Sequence, residues 1–365
     1  MKRNLLSSTE ALIYAAGVAG LLLLLAVSFW PALEGQLGRD MVDAARLMER
    51  SEAALRDCRA GKGIPVDTAA DPNGTGVIGS ETSPMTTSLG NPAAKRTTAN
   101  PDFAALLVSL LDAAGVRRGD TVAVGASGSF PALIIATLSA ARVMGVEPLV
   151  ICSLGASEWG ANIPGFDWLD MQDCLRRAGL FAGGPIALAV GGEDDVGRDL
   201  VPAGRDFLRA RIIASGHRFV EKPGLREDVE ERLAIYAAAA AGRPVKAFVN
   251  IGGSSANIGT NAGVLKLRPG LLRGPLVPPP DGRGVLQEMA ARGVPIIHLL
   301  NIRGLCERYG LLWDPRPLPA PGQAGFYRRS REPERAVTWF SAAYVLFVAA
   351  VLAFRDRSFL RKDGP

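Results

Sequence analysis

Short turns rich in glycine and serine follow several apolar stretches of this chain, and they are the first candidates for chemistry. They occupy residues 125–129, 153–157 and 250–257, and a fourth candidate, 298–301, ends on an asparagine. Glycine lets a backbone approach a ligand closely, and successive N–H groups in such turns form a cradle for a carboxylate or phosphate. The turns therefore predict an anion-binding site, although ordinary turns between strands and helices have a similar composition.

A polar segment precedes the first of these turns and adds further candidates. Residues 72–90 carry many hydroxyl groups, and two cations follow them. The segment either folds over the same site or is a solvated linker. We predict that the ligand-binding residues are Glu81, Thr86, Thr87, Lys95, Arg96, Ser127, Ser129, Ser157, Asn162, Ser254, Ser255 and Asn257.

A serine nucleophile is a sharper hypothesis for the first turn. Ser127 lies in a near match to the G-x-S-x-G elbow of serine hydrolases, with Ser129 in place of the last glycine. The chain has two histidines, and His298 ends a predicted strand after Ser127. A catalytic triad of Ser127, His298 and either Asp194 or Asp195 is one interpretation, and a buried structural histidine is the other. Motifs for zinc, nucleotide phosphates and dinucleotides are missing, so we expect no metal and no cofactor.

Regular elements must position these turns. Apolar stretches predict strands at 121–124, 148–152, 186–190, 211–214, 246–251 and 295–300. Periodic patterns predict helices at 101–115, 130–144, 168–178, 225–241 and 286–292. Alternation of helices with nearly all-apolar strands predicts a doubly wound α/β fold with a mostly parallel sheet, whose ligand site lies beyond the carboxyl ends of the strands.

Uncharged apolar runs near both ends predict two transmembrane helices, each long enough to cross a hydrocarbon layer of about 30 Å. A cleaved signal peptide is the alternative for the first run, and a buried core helix is the alternative for the second. The predicted order is a cytoplasmic N-terminus at 1–10, a transmembrane helix at 11–33, an amphipathic stalk helix at 34–60, a loop at 61–100, an extracytoplasmic α/β domain at 101–320, an arginine-rich segment at 321–335, a transmembrane helix at 336–354 and a basic cytoplasmic tail at 355–365. A first helix of the domain is the alternative to the stalk.

Charge and cysteine content limit the partners. A formal net charge of +5 suits a polyanionic partner or an anionic lipid surface, and a domain outside the membrane is not expected to meet nucleic acid. The four cysteines, Cys58, Cys152, Cys174 and Cys306, contain no C-x-x-C pair, which argues against zinc and a redox motif. They are either buried thiols or up to two disulfides in any of three pairings.

Seven segments, taken together, are similar to one known family. They are 80–84, 86–90, 94–97, 100–106, 122–133, 155–162 and 166–171. These segments resemble the poly-gamma-glutamate system protein family, most clearly over 74–173 and more loosely at 250–261. The resemblance implies a bacterial membrane protein that serves the synthesis or export of an acidic polymer. Its implied partners are poly-gamma-glutamate, or the membrane proteins that make and export it, and the lipid bilayer. The resemblance assigns no catalytic residue.

The function classes that follow differ in chemistry. One is an accessory protein whose extracytoplasmic domain binds the polymer or its synthase. Another is a serine-dependent hydrolase or transferase that acts on the gamma-glutamyl amide through Ser127. A domain similar to sugar-phosphate isomerases and a non-catalytic membrane scaffold are further alternatives. Whether the protein is an enzyme is left open by the residues alone.

Overall fold

In the computed structural model, helices cover both faces of a six-stranded sheet. The described residues are 15–20, 22, 35–274, 282–323, 326–329, 339 and 342–348. They divide into two units, of which one contains residues from both ends of the chain and the other spans Gln36–Tyr327.

The strands of the larger unit are β1 Thr121–Ser127, β2 Glu147–Ser153, β3 Asn162–Ile163, β4 Phe166–Asp167, β5 Ala187–Ala189, β6 Val245–Ile251, β7 Gly270–Leu272 and β8 Ile296–Leu299. The sheet has the order β5-β2-β1-β6-β8-β7, and β3 and β4 form a separate hairpin. All pairs in the sheet are parallel except β7 with β8. The predicted α/β fold with a mostly parallel sheet is confirmed.

Strand order reverses beside β1, and this reversal locates the site. From β1 the chain continues to β2 and then to β5 on one side, and β6 then pairs with the opposite edge of β1. The connections that follow β1 and β6 leave the sheet in opposite directions, and such a divergence opens a crevice at the carboxyl ends of these two neighbouring strands. Every residue of β1 is buried, as is required of a central strand with helices on both faces.

The helices of this unit are α1 Gln36–Gly61, α2 Pro92–Thr98, α3 Asp102–Ala114, α4 Pro131–Met144, α5 Trp168–Arg177, α6 Pro202–Ser215, α7 Leu225–Ala240, α8 Ser255–Ile258, α9 Val285–Ala291, α10 Ile302–Tyr309 and α11 Phe326–Arg329. Apolar residues of α1, α3, α4 and α5 belong to the larger hydrophobic core, whereas those of α7 and α9 form the core on the other face of the sheet.

Helix α1 is a core helix of the domain rather than the predicted stalk at 34–60. Met41, Ala44, Met48 and Leu55 are fully buried at helical spacing. The buried Arg59 near its end donates hydrogen bonds to three backbone carbonyls of the following segment. The domain therefore begins at α1 and not at residue 101, because the sheet needs this helix to cover one face.

The strand predicted at 211–214 is wrong, since these residues belong to α6. Pro202 at the first helical position and a left-handed Gly216 after the last turn define this helix. Leu208 and Ile212 are buried four residues apart, which places both on the face toward the core. A stretch of four residues that is mostly apolar is compatible with a short strand and also with one turn of a half-buried helix, so the pattern alone does not tell them apart.

The terminal unit contains the predicted membrane helices, most of whose residues lie outside the described ones. Residues 15–20 and 342–348 are helical, and the Tyr344 hydroxyl donates to the Ala16 carbonyl at 3.2 Å. Within the described residues, no helix has both the length and the apolar character needed to span a bilayer. The spans at 11–33 and 336–354 and the tails at 1–10 and 355–365 therefore stay predictions.

One disulfide joins α1 to α5. Cys58 and Cys174 form this bond across 116 residues of chain, with 6.1 Å between their Cα atoms. Cys152 and Cys306 are buried thiols. Of the pairings that the sequence left open, the structure therefore contains one disulfide and two thiols.

We expect reduction of this disulfide to lower the free energy of unfolding by about 2–5 kcal/mol, because the bond closes a long loop in the unfolded chain. Thermal unfolding with and without a reductant measures the effect. The Cys58→Ala, Cys174→Ala double variant is the control, since it should unfold at the lower temperature whether or not reductant is present. An unchanged midpoint on reduction of the wild-type protein would contradict the prediction.

Candidate functional site

A cleft of about 630 Å³ lies at the carboxyl ends of the central strands. Its lining includes residues at or just beyond the carboxyl ends of four different strands, namely Ser127 and Ser129 at β1, Gly155 and Ser157 at β2, Ser254 and Ser255 at β6, and Asn301 and Arg303 at β8. The cleft therefore occupies the crevice that the reversal of strand order opens.

Two larger hollows lie elsewhere and are less suited to chemistry. One of about 950 Å³ is bordered by charged residues of α1 and by the end of α4, and one of about 860 Å³ surrounds the amino end of β2. Ligands of parallel sheets bind at the opposite, carboxyl ends of the strands. The cleft at those ends is therefore the candidate site despite its smaller volume.

The segment 79–91 folds along the turn that follows β2, and its end forms one wall of the cleft. Thr87 N donates to the Ala156 carbonyl at 3.0 Å, and Glu158 N donates to the Ser88 carbonyl at 3.0 Å. Gly90 N donates to the Glu158 carboxylate at 2.9 Å. The predicted fold-over of this segment is thus observed, and the alternative of a solvated linker does not describe it.

Seven of the predicted ligand-binding residues line this cleft, and five do not. Those in the lining are Thr87, Lys95, Ser127, Ser129, Ser157, Ser254 and Ser255. Those outside the lining are Glu81, Thr86, Arg96, Asn162 and Asn257. The two groups differ in what their polar atoms contact.

Asn162 and Thr86 hold the segment 79–91 in place, and Glu81 lies on the surface. The buried Asn162 amide accepts from Ser80 N at 3.0 Å and donates to the Ser80 carbonyl at 2.8 Å. It also donates to the Thr86 hydroxyl at 2.9 Å. The structure therefore does not bring Asn162, Thr86 and Glu81 to the cleft: the first two make hydrogen bonds within the protein, and Glu81 is exposed elsewhere on the surface. Their predicted ligand binding stays a prediction.

Lys95 extends from α2 into the cleft and is almost completely buried, with 3% of its surface exposed. Its amine contacts the Ser129 carbonyl and lies 2.7 Å from Ser157 Oγ. The Phe130 ring centre is 3.9 Å from the same nitrogen. A lysine in such surroundings is not the solvated cation that pairs with a polymer at the protein surface.

Burial lowers the pKa of Lys95 from its ordinary 10.5 to about 7, because the charged form loses its hydration, and the nearby Glu158 carboxylate offsets only part of this effect. In a large fraction of the molecules, the Lys95 side chain is therefore a neutral amine near neutral pH. A neutral amine can accept a proton, which an ordinary lysine at this pH cannot do.

Arg96 points away from the cleft and holds α2 to a distant part of the chain. Its guanidinium donates to both carboxylate oxygens of Asp314, at 2.7 and 2.8 Å. The adjacent Thr97 accepts from Asp314 N at 2.9 Å. Arg96 is outside the cleft lining and its Nε and Nη2 are engaged by Asp314, so its predicted role in binding polymer carboxylates gains no support from the cleft. Instead, the pair fixes the helix that carries Lys95.

The serines after β1 and β2 share a hydrogen-bond network. Ser127 Oγ lies 3.0 Å from Ser129 Oγ and accepts from Ser129 N at 3.2 Å. Ser129 Oγ accepts from Ser157 N at 3.0 Å. The network links the two turns and leads from Ser127 through Ser129 to Ser157, the serine beside Lys95.

The predicted triad of Ser127, His298 and an aspartate is not assembled. His298 is buried in β8, outside the cleft lining, and its Nδ1 lies 3.1 Å from Asn250 Nδ2. Burial lowers the pKa of His298 to about 4, so the ring stays neutral. The alternative interpretation of a buried structural histidine describes His298, and Ser127 has the Ser129 hydroxyl as its neighbour instead of an imidazole.

The candidate triad acid Asp195 belongs to a buried ionic cluster at the rim of the cleft. Asp195 contacts Arg232 and accepts from Ser153 Oγ at 2.8 Å. Arg232 also pairs with Asp228 at 3.3 Å, and burial raises the pKa of Asp228 to about 7. Asp194, the other candidate, pairs with Arg198 at 3.0 Å. The cluster anchors the loop after β5, from which Gly192, Glu193 and Asp199 reach the cleft.

The turn after β6 contributes two polar side chains that lack internal partners. Ser254 Oγ is buried in the cleft lining and has no hydrogen-bond partner among the described residues. Asn257 is buried against β1, where a Cβ on Gly125 would lie 2.5 Å from Asn257 Oδ1. Asn257 therefore packs beneath the cleft and requires a glycine at position 125. The Ser254 hydroxyl has no partner within the described residues and can donate a hydrogen bond to a ligand.

Arg303 is a cleft residue that the sequence patterns missed. It follows β8 by a few residues on α10, and its guanidinium lies 4.4 Å from the centre of the Trp313 ring. It forms no ion pair within the part of the chain that the structure describes. Its position just after the turn at 298–301 was the available signal. Arg303 is a cation with an exposed surface that can meet an anionic ligand.

Comparisons of this chain with protein families, with curated proteins and with solved structures find no match. Within the described ranges, no cluster of three or more histidine, cysteine or acidic side chains is arranged to hold a metal ion. The polar groups that line the cleft include serine hydroxyls, the Lys95 amine, the Arg303 guanidinium and the carboxylates of Glu193 and Asp199.

The buried Lys95 gives a stability prediction with a defined sign. Between about pH 7 and pH 10 the unfolded chain binds a proton on Lys95 that the folded protein lacks, so stability rises with pH. We expect the stability advantage of Lys95→Met over the wild-type protein to shrink by about 1.4 kcal/mol per pH unit across this range. Urea unfolding of both proteins at several pH values measures it, and parallel pH profiles would contradict the low pKa.

Proposed function

We propose that this chain is a membrane-anchored accessory protein of poly-gamma-glutamate biosynthesis or export, whose α/β domain binds gamma-glutamyl chains in the cleft on the outer side of the membrane. The observation that carries the proposal is the convergence of separate segments on this cleft. Lys95, Ser127, Ser129 and Ser157 come from three of the stretches that resemble the family, and all of them line the cleft.

The chemistry of the lining suits a chain of amides and carboxylates. Arg303 offers a cation in a form that recognises carboxylates through paired hydrogen bonds. Ser254 offers a buried hydroxyl without an internal partner, which a ligand amide or carboxylate can engage. Glu193 and Asp199 add negative charge to the lining. The mixture of charges therefore suits the amino end of a gamma-glutamyl chain, where an ammonium group accompanies the carboxylates.

An extracytoplasmic location is supported by two independent features. The Cys58–Cys174 disulfide is typical of proteins that mature in an oxidising compartment. The apolar runs at 11–33 and 336–354 have the length of membrane spans, with basic residues in both short tails. A domain held between two such spans would lie close to the membrane proteins that extend and export the polymer.

Loss of the Arg303 guanidinium should weaken polymer binding about tenfold, because hydrogen bonds to a charged group contribute about 1.5–3 kcal/mol. Binding of fluorescent poly-gamma-glutamate to the full-length protein in detergent micelles measures this effect in Arg303→Ala. Binding by the wild-type protein should also weaken with added salt, since salt screens exposed ion pairs.

Arg292→Ala is the matched control, because Arg292 is an exposed arginine outside the cleft lining and its loss changes the net charge equally. This variant should bind as the wild-type protein does. Equal affinities of the Arg303 and Arg292 variants would argue against the cleft as the binding site. Absence of binding by the wild-type protein at low salt would argue against direct contact with the polymer.

A further inference from the structure

We propose that Ser157 is a nucleophile and Lys95 its general base, so that the cleft catalyses acyl transfer from a gamma-glutamyl amide to water. The choice of substrate rests on the proposed function, whereas the assignment of nucleophile and base rests on the geometry of the site. Neither the elbow at Ser127 nor His298 takes part as nucleophile or base.

The pair has the contact that such chemistry requires. Ser157 Oγ and Lys95 Nζ are 2.7 Å apart, within the range for direct proton transfer. Ser157 lines the cleft with 7% of its surface exposed, so it borders the space that a substrate would occupy. In this contact Lys95 Nζ donates to Ser157 Oγ, and the same nitrogen donates to the Ser129 carbonyl, so two partners position it. The neutral amine has a lone pair, which can accept the Ser157 proton when that hydrogen bond reverses its direction.

The backbone around Ser157 is held on both sides. Ser157 N donates to Ser129 Oγ, and Ala156 N donates to the Met85 carbonyl at 3.3 Å. Two residues later, Trp159 has a positive φ of 64°, a strained conformation for an aromatic residue. Strain of this kind persists only where surrounding contacts impose it, and it is concentrated at functional sites.

The surroundings of Lys95 explain how it serves as a base near neutral pH. Burial disfavours its charged form, whereas the Glu158 carboxylate and the Phe130 ring favour that form. Glu193, Asp199 and Arg303 are the other charged side chains in the cleft lining. Burial has the largest effect and brings the pKa of Lys95 to about 7, which is suitable for proton transfer at physiological pH.

The reaction balances with these two residues and one water. Ser157 Oγ attacks the gamma-carbonyl carbon as its proton passes to Lys95 Nζ, and the C–N bond breaks as Lys95 returns that proton to the leaving nitrogen. Lys95 then takes a proton from water, whose oxygen attacks the ester carbon. The C–Oγ bond breaks, Ser157 regains the proton, and the products are a carboxylic acid and an amine. Ser254 Oγ is available to donate to the substrate during these steps.

A fluorophosphonate probe tests the nucleophile without reference to any polymer, because the serine oxygen displaces fluoride and stays bonded to phosphorus. We expect the full-length protein in detergent micelles to be labelled on Ser157, as located by peptide mass spectrometry. The labelling rate should rise with pH through about 7 and then level off, as the Lys95 amine loses its proton. Labelling on another serine, or none, would overturn the assignment.

Variants separate catalysis from structure. Ser157→Ala and Lys95→Met should each lose at least a hundredfold in labelling rate. Lys95→Arg should lose as much, because arginine keeps the positive charge but cannot accept the proton. Ser139→Ala is the matched control, since Ser139 is buried in α4 away from the cleft, and it should label as the wild-type protein does. Wild-type labelling of Lys95→Arg would overturn the role of Lys95 as the base.

The Ser157→Cys variant tests the role of Lys95 by a second route, which holds even if Ser157→Ala fails to fold. Ser157→Cys retains a nucleophile of similar shape, and its thiol should react with iodoacetamide faster at neutral pH than an ordinary thiol, because Lys95 accepts its proton. The Lys95→Met, Ser157→Cys double variant should lose this advantage. Equal alkylation rates in the single and double variants would overturn the proposal.

Polymer measurements distinguish this inference from the proposed function. Shortening of poly-gamma-glutamate by the wild-type protein, with none by Ser157→Ala, supports both. Labelling of Ser157 without polymer binding or cleavage supports the nucleophile and overturns its gamma-glutamyl substrate. Polymer binding that depends on Arg303, without labelling of Ser157, overturns the nucleophile and leaves the binding function in place.

Discussion

Every feature of the cleft depends on the parallel pairing of β1 with β2 on one side and with β6 on the other. This pairing brings the carboxyl ends of three strands to one edge of the sheet. The reversal of strand order at β1 then keeps the connecting helices from closing over that edge. Turns that are far apart in the chain consequently share one water-accessible crevice, and their hydroxyl groups become neighbours.

Segments outside the sheet complete the site, and each is held by contacts of its own. Asn162 fastens the polar segment 79–91 to the turn after β2. The Arg96–Asp314 pair fixes α2, so that Lys95, one residue earlier, projects into the cleft. On the opposite rim, the ionic cluster of Asp195, Arg232 and Asp228 anchors the loop after β5. Such buried ionic groups are costly to desolvate, and their presence around one cleft is consistent with a site that sacrifices stability for position.

Lys95 is the clearest example of that exchange. Its burial destabilises the charged form, and the same burial turns an ordinary surface cation into an amine that can accept a proton near neutral pH. An apolar side chain in its place would serve the fold better. The presence of a lysine at this buried position, in contact with a serine of the cleft, therefore favours a chemical role over a purely structural one.

Local patterns in the amino-acid sequence are sufficient to predict the fold class, most strands and helices, and the edge of the sheet at which the candidate residues lie. Apolar periodicity and glycine-rich turns are local signals, which is why β1, β2 and β6 were predictable within a few residues and why the serines of three turns could be named. The same local signals failed at 211–214, where a short apolar stretch is a helical turn with one buried face.

Which polar residues meet depends on the packing of distant segments and cannot be predicted from such patterns. Lys95 and Arg96 are neighbours with the same charge, yet they point in different directions from one helix, toward Ser157 and Asp314 respectively. The choice among cysteine pairings and the separation of His298 from Ser127 were equally hidden, and the one signal for Arg303 was its position after the turn at 298–301. These outcomes depend on contacts between residues distant in the chain, and on the burial those contacts create, whereas composition and spacing report only on near neighbours.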